Sequence, residues 1–328
     1  MPQRNVPLRK HKDEKERATR DGFGDALLSL GESDPRVIVL CADLAESTRT
    51  LAFKEKYPDR YIEVGVAEQN LAALASGFAA MGKVPFVASY AAFSPGRNYE
   101  QIRTTIALNR QKVIIAGMHA GISVGPDGAT HQMLEDLGLM CMLPNMTVIN
   151  PADALEARKA TLAAAMHDGP VYLRFSRETS PNVTTERTPF VLGKANLLLD
   201  AAKPDVAIVA TGTLVSQALI AAKALANDFA VTVLNVHTLK PLDIPGILKQ
   251  AERAGAVVTV EEHQLRGGFG SAVAQCLGTF APMPLELVGV SDRFGQSGTP
   301  SELLTEYGLS AAYIAAAARK AYHRKRDA

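Results

Sequence analysis

Short, β-branched apolar runs alternate with longer Ala-rich ones, and that rhythm constrains the fold more than any other feature. RVIVLCA (36–42) is too short for a helix and shows no polar alternation, as expected of a strand buried on both faces. KVPFVASY (83–90), KVIIAGMH (112–119), MTVINPAD (146–153, closing a strand) and GPVYLRFSR (169–177) read the same way. Between them, EQNLAALASGFAAMG (68–82) is a helix with its stop signal at Gly82. YEQIRTTIALNR (99–110) spaces Ile102, Ile106 and Leu108 helically, and Asp153 is placed to cap a helix over 154–166. Such alternation predicts a parallel sheet covered by helices.

The pattern breaks from Glu178 to Ala195, where prolines, threonines and mixed charges read as a linker. It then restarts, with strands at 205–212, 230–237, 256–263 and 284–290 and helices at 214–228 and 270–280. The expectation is an α/β chain of two domains, 18–185 and 195–328, each a mainly parallel sheet covered by helices. A chain of 328 residues is long enough for both cores.

Composition removes several classes. A formal net charge of +1 offers no global field for nucleic acid or a membrane surface. No run of 18 apolar residues predicts a membrane span, and no apolar leader follows the start. Cys41, Cys141 and Cys276 form no zinc spacing and no C-x-x-C pair, which fits reduced thiols in a cytoplasmic protein. The charge-dense stretch 8–17 and the basic tail 318–328 read as solvated ends.

Ligands of open parallel sheets sit beyond the carboxyl ends of the strands. The turn-rich loop 121–131, with His119 and His131 at its borders and Asp127 inside, falls there. These three suit proton transfer or phosphate binding, or are ordinary polar turn residues; their spacing fits no metal site. Tyr90 and Phe93 end the run 83–90, where two rings either clasp a flat heterocycle or fill a core. Arg20, Arg174 and Arg177 suit a phosphate or carboxylate, or surface ion pairs. Glu68 opens an apolar helix. The macrodipole favours its charge there and burial opposes it, so it either caps a solvated end or shares a proton with a buried ligand nitrogen. RGGFG (266–270) and GPDG (125–128) match neither a dinucleotide fingerprint nor a P-loop.

In order along the chain, ATR (18–20), CADLAES (41–47), GVAEQN (65–70), SYAAF (89–93), MHAGISVGPDGATHQ (118–132) and LRFSR (173–177) resemble the pyrimidine-binding domain of transketolase. VHTLKPLD (236–243), VTVEEHQLRGGFGSAV (258–273) and DRFGQSGTP (292–300) resemble its C-terminal domain. The resemblance implies thiamine diphosphate as cofactor and transfer of a glycolaldehyde unit from a ketose phosphate to an aldose phosphate. It implies that Glu68 hydrogen-bonds N1′ of the aminopyrimidine, favouring the imino tautomer that takes the thiazolium C2 proton. Tyr90 and Phe93 would stack on that ring, and Asp43 and Leu44 would touch the cofactor. His119 and His131 would orient hydroxyls and shuttle protons, Asp127 would recognise the C2 hydroxyl of the incoming aldehyde, and Arg20, Ser47, His119 and Arg177 would grip the sugar phosphate.

The family's G-D-G motif and its following Asn ligands are missing from this sequence. The resemblance therefore implies no metal site on this chain. A separate N-terminal subunit carrying G-D-G would hold the diphosphate and Mg²⁺ (or Ca²⁺), in a two-plus-two assembly. The helix after Glu68 would lie near an interface, and the second domain would serve dimerisation rather than catalysis. The sequence departs from common full-length members at Ala67 and Gln69, where they carry Arg and His, and in SPGR (94–97), which sets Arg97 near the cofactor pocket. Two other readings are a 1-deoxy-D-xylulose-5-phosphate-synthase-like enzyme, in which Arg usually replaces His119, and a non-catalytic regulatory subunit.

Overall fold

The computed structural model describes residues 16–327, so nearly all of the charge-dense stretch 8–17 lies outside the described residues. Seven strands form the first sheet, in the order Thr238–Lys240, Thr147–Ile149, Val171–Arg174, Ile114–Met118, Val84–Tyr90, Val37–Cys41 and Tyr61–Glu63. All neighbours are parallel except Thr238–Lys240, which runs antiparallel to Thr147–Ile149 and comes from the second half of the chain. Every residue of Val37–Cys41, Ile114–Met118 and Val171–Arg174 is buried, which explains runs without alternation. The second sheet orders Leu285–Val290, Val257–Gln264, Val206–Ala210, Val231–Asn235 and Asn196–Leu199, with only the last antiparallel. One apolar core runs through both halves: Leu40, Ile115 and Tyr172 share a cluster with Val209, Leu234 and Phe269.

The helix Glu68–Ala80 forms as expected, and Asp153 caps Ala154–Met166 by accepting the Glu156 N–H at 2.8 Å. The segment 99–110 begins as Tyr99–Gln101 and continues through a π-helical stretch, Ile102–Ala107. One site-bearing helix, Thr19–Ser33, escapes the sequence pattern because three glycines interrupt it. Gly22 is there for close packing: a Cβ would come within 2.0 Å of the Ala154 carbonyl oxygen.

Two expectations are corrected. The basic tail keeps most of its charges exposed but is docked rather than free, because it belongs to the helix Ala311–Arg326, which buries Ile314, Ala315, Ala318 and Ala321. Its cations pair with Asp228 and Glu286, and the cluster His323–Arg326 sits in the last turn, where the macrodipole favours positive charge. The linker is pinned rather than free. Thr179–Ser180 pairs with Arg17–Ala18, and Asp153 Oδ2 accepts the N–H groups of Val183 and Thr184 at 2.8 and 2.6 Å. No helix among the described residues is long and apolar enough to cross a membrane.

Candidate active site

The carboxyl edge of the first sheet gathers the predicted residues in two groups. At one end, Glu68 opens its helix and is only 1% exposed. The neighbouring Ala67 supplies no side-chain cap. Arg97 Nη1 lies 2.7 Å from Glu68 Oε2, while Oε1 has no hydrogen-bond partner among the described residues. Beside them Tyr90 and Phe93 stack with centroids 6.0 Å apart and planes at 20°. His131 meets Phe93 edge-on at 5.4 Å and bonds Thr130 Oγ1 through Nδ1 at 2.9 Å. Asp43 and Leu44 follow the strand Val37–Cys41. The Asp43 N–H donates to Glu63 Oε1 at 2.7 Å, and so does the Gly65 N–H at 3.1 Å, which ties that turn to the approach to Glu68.

At the other end the groups are cationic. Thr19 Oγ1 accepts the Ser176 N–H at 2.8 Å, which docks the start of Thr19–Ser33 on the end of Val171–Arg174 and aims Arg20 inward. Arg20 Nη1 donates to the Ser47 carbonyl at 2.9 Å and to His119 Nε2 at 2.6 Å. His119 is therefore an acceptor at Nε2, which leaves Nδ1 as its N–H. Burial first, then the charges of Arg20 and Arg177, push its pKa down to about 3, with the Ser47 carbonyl opposing. A group so held is neutral, with Nδ1–H as its donor. Its ring stacks on Tyr90 at 4.1 Å, and its φ of 52° is a left-handed strain typical of functional positions. His119 Nδ1 and Arg20 Nε are buried and without a partner among the described residues. Arg177 Nη1 bonds the Val124 carbonyl at 2.9 Å and Asp127 Oδ1 at 3.3 Å, which holds the loop over the same end.

Arg174 belongs elsewhere. It is fully enclosed, with Nε 2.8 Å from Asp136 Oδ2 and Nη2 2.9 Å from the Glu262 carbonyl. It forms part of a seam between the halves rather than the site.

Sequence reasoning missed the second domain's part in the site. Glu262 Oε1 accepts the Ser123 N–H at 2.6 Å, and a Cβ on Gly121 would strike that carboxylate at 2.4 Å. Gln132 Nε2 donates to the Gln296 carbonyl at 2.9 Å. The second half thus buttresses the loop 119–132, a task beyond the dimerisation expected of it. The acidic pair in VTVEEH was the available signal, for a Glu inside a buried strand needs a partner. Among the described residues no group of three or more His, Cys, Asp or Glu side chains is placed to hold a metal ion.

A buried acid linked through Arg97 to a pair of stacked rings, and buried donors without a partner among the described residues, thus share the carboxyl edge of the first sheet. The chain belongs to the transketolase family: residues 15–182 match the transketolase pyrimidine binding domain and 193–314 the transketolase C-terminal domain. It is 42% identical over 307 residues to the 6-deoxy-6-sulfo-D-fructose transketolase subunit SqwH of Clostridium sp. (strain MSTE9), covering 93% of this chain and 95% of that one. It is 39% identical to a putative transketolase C-terminal section of Methanocaldococcus jannaschii, covering 90% and 93%. A solved split gene transketolase, described as an inactive beta4 tetramer, superposes with a TM-score of 0.88 at 44% identity, covering 94% of this chain and 99% of that chain.

Proposed function

We propose that this chain is the pyrimidine-binding subunit of a two-chain, thiamine-diphosphate-dependent transketolase, moving a glycolaldehyde unit from a ketose phosphate to an aldose phosphate. The observation that carries the reading is Glu68: enclosed, joined through Arg97 to the stacked rings, and with Oε1 unclaimed among the described residues. The residues fit an aminopyrimidine, since rings to stack on and an acceptor for one ring nitrogen stand together. When bound, the cofactor supplies the electron sink for carbon–carbon cleavage. Tyr90 and Phe93 would hold its pyrimidine face, Glu68 Oε1 would bond N1′, and Asp43 and Leu44 would line the approach.

Arg20, Ser47, His119 and Arg177 would grip the sugar phosphate, where charge-assisted contacts to a dianion are strong. The unpartnered Arg20 Nε and His119 Nδ1 are the donors that such a ligand satisfies. Asp127 would read the aldehyde's C2 hydroxyl, and His131 would carry the proton. His119, where the synthase-like alternative carries Arg, favours transfer between sugars. An N-terminal subunit with G-D-G would supply the diphosphate and Mg²⁺ (or Ca²⁺) site, in a two-plus-two assembly. The split relatives support that partner, and the free thiols fit a cytoplasmic setting.

The test is Glu68→Gln in the assembled complex, assayed with a ketose phosphate donor. Transfer should fall by about a thousandfold or more, because the cofactor-activating bond is lost. Full turnover would refute the catalytic reading. The lone chain should bind thiamine diphosphate with Mg²⁺ only weakly in calorimetry, and tight binding there would refute the split site.

A further inference from the structure

The turn after Phe93 is fixed more firmly than a loop joining a strand to a helix requires. Asn98, fully buried, donates from Nδ2 to the Glu68 carbonyl at 2.8 Å and to Ser94 Oγ at 3.2 Å. Gly96 lies so close to Ala92 that a Cβ would meet its carbonyl oxygen at 2.1 Å. From this clamped turn Arg97 lays its guanidinium 4.8 Å over the Phe93 ring and sets Nη1 2.7 Å from Glu68 Oε2. The acid is enclosed and the cation half open, with side-chain exposures of 1% and 49%.

A carboxylate withdrawn from water is costly unless paired, and among the described residues Arg97 is its one ion-pair partner. The stack on Phe93 fixes the plane of the guanidinium, and the single bond to Oε2 fixes the rotation of the carboxylate. We propose that Arg97 is a positioning residue: it holds Glu68 by Oε2, so that Oε1 alone is presented to the ring nitrogen of the aminopyrimidine. This rests on the reading of Glu68 given above. It assigns the departure at SPGR to alignment of the acid rather than to choice of sugar.

The test uses Arg97→Met, Arg97→Gln and Arg97→Lys in the chain assembled with its diphosphate-holding partner. Two quantities are read: affinity for thiamine diphosphate with Mg²⁺ by calorimetry, and transfer rate at saturating cofactor. Arg97→Met and Arg97→Gln should each weaken cofactor affinity about tenfold and slow transfer about a hundredfold, as expected when a buried acid loses its cation. Arg97→Lys, which keeps the charge without the planar stack, should fall between them and the unaltered protein. The proposal is overturned if Met and Gln both stay within about twofold on both readouts while Glu68→Gln is inactive; Glu68 would then stand without Arg97. If Glu68→Gln itself transfers at full rate, the reading of the site and this proposal fail together. Equal losses of melting temperature in all three variants, with Lys no better than Met in rate, would also overturn it, since that is the signature of a merely structural arginine.

Discussion

Arg174 and Arg177 lie three residues apart and do opposite work. Arg174 faces the seam between the halves, where protein groups consume the charge: Asp136 Oδ2 takes both Arg174 Nε at 2.8 Å and the Tyr172 hydroxyl at 2.7 Å. Nearby, Glu261 accepts the N–H groups of Phe269 and Gly270 at the start of a helix, both at 2.7 Å. Arg177 faces the site, where it is half-buried and shares its edge with donors that no described residue satisfies. A buried charge fully spent within the protein serves the fold, whereas one left partly unspent is available to a ligand.

The sharpest way to break this contrast is Asp136→Ala. It leaves the Arg174 guanidinium enclosed without its carboxylate, and loss of one partner of a buried pair costs about 3–5 kcal/mol. Urea unfolding should show that loss, and a change of under about 1 kcal/mol would mean the seam is not structural. No comparable penalty is expected from the site side, where Arg177 and Asp127 are partly solvated and their pairing contributes at most about 1 kcal/mol.

His119 gives the next effect, and its sign is opposite to a simple loss. Its pKa near 3 in the folded protein lies below the ordinary 6.5. From pH 6.5 downward the unfolded chain takes up a proton that the folded chain refuses until about pH 3, so stability is complete above pH 6.5 and falls as pH drops. At pH 5 the shortfall is about 2 kcal/mol. His119→Asn, which cannot titrate, should gain that much over the unaltered protein between pH 8 and pH 5 in denaturant melts, while binding the sugar more weakly. Equal pH dependence in both proteins would mean that His119 is charged in the fold.

The same contrast explains what could be read in the chain beforehand. Strands such as Ile114–Met118 were legible because burial on both faces writes itself as an unbroken apolar run. The loop 119–131 was legible as a cluster because its polar residues are close in sequence. Thr19–Ser33 was not, since its glycines answer to close contacts far along the chain, Gly22 with Ala154 and Gly31 with Tyr57 and Phe53, rather than to helix propensity. The tail helix was hidden by its cations, which cover an alanine face. Long-range pairings left no local trace: Arg97 reaches Glu68 across 29 positions and Arg174 reaches Asp136 across 38. Glu68, Arg97 and Arg174 stood out singly, but nothing near them in sequence named their partners.

Glu262 sits where the two regions meet, and it predicts the smallest effect. Its backbone carbonyl holds Arg174 in the seam, while its carboxylate holds the Ser123 N–H beneath the site loop. Glu262→Gln keeps the shape, the carbonyl and an acceptor oxygen, so stability should change by no more than about 1 kcal/mol. The loop carries His119, Asp127 and His131 but not Glu68, so a slackened loop should raise the KM for the sugar a few-fold and leave affinity for thiamine diphosphate unchanged. Steady-state kinetics beside cofactor titration separates the two. If cofactor affinity falls as far as sugar affinity, the buttress reaches the acid as well, and seam and site are one mechanical unit.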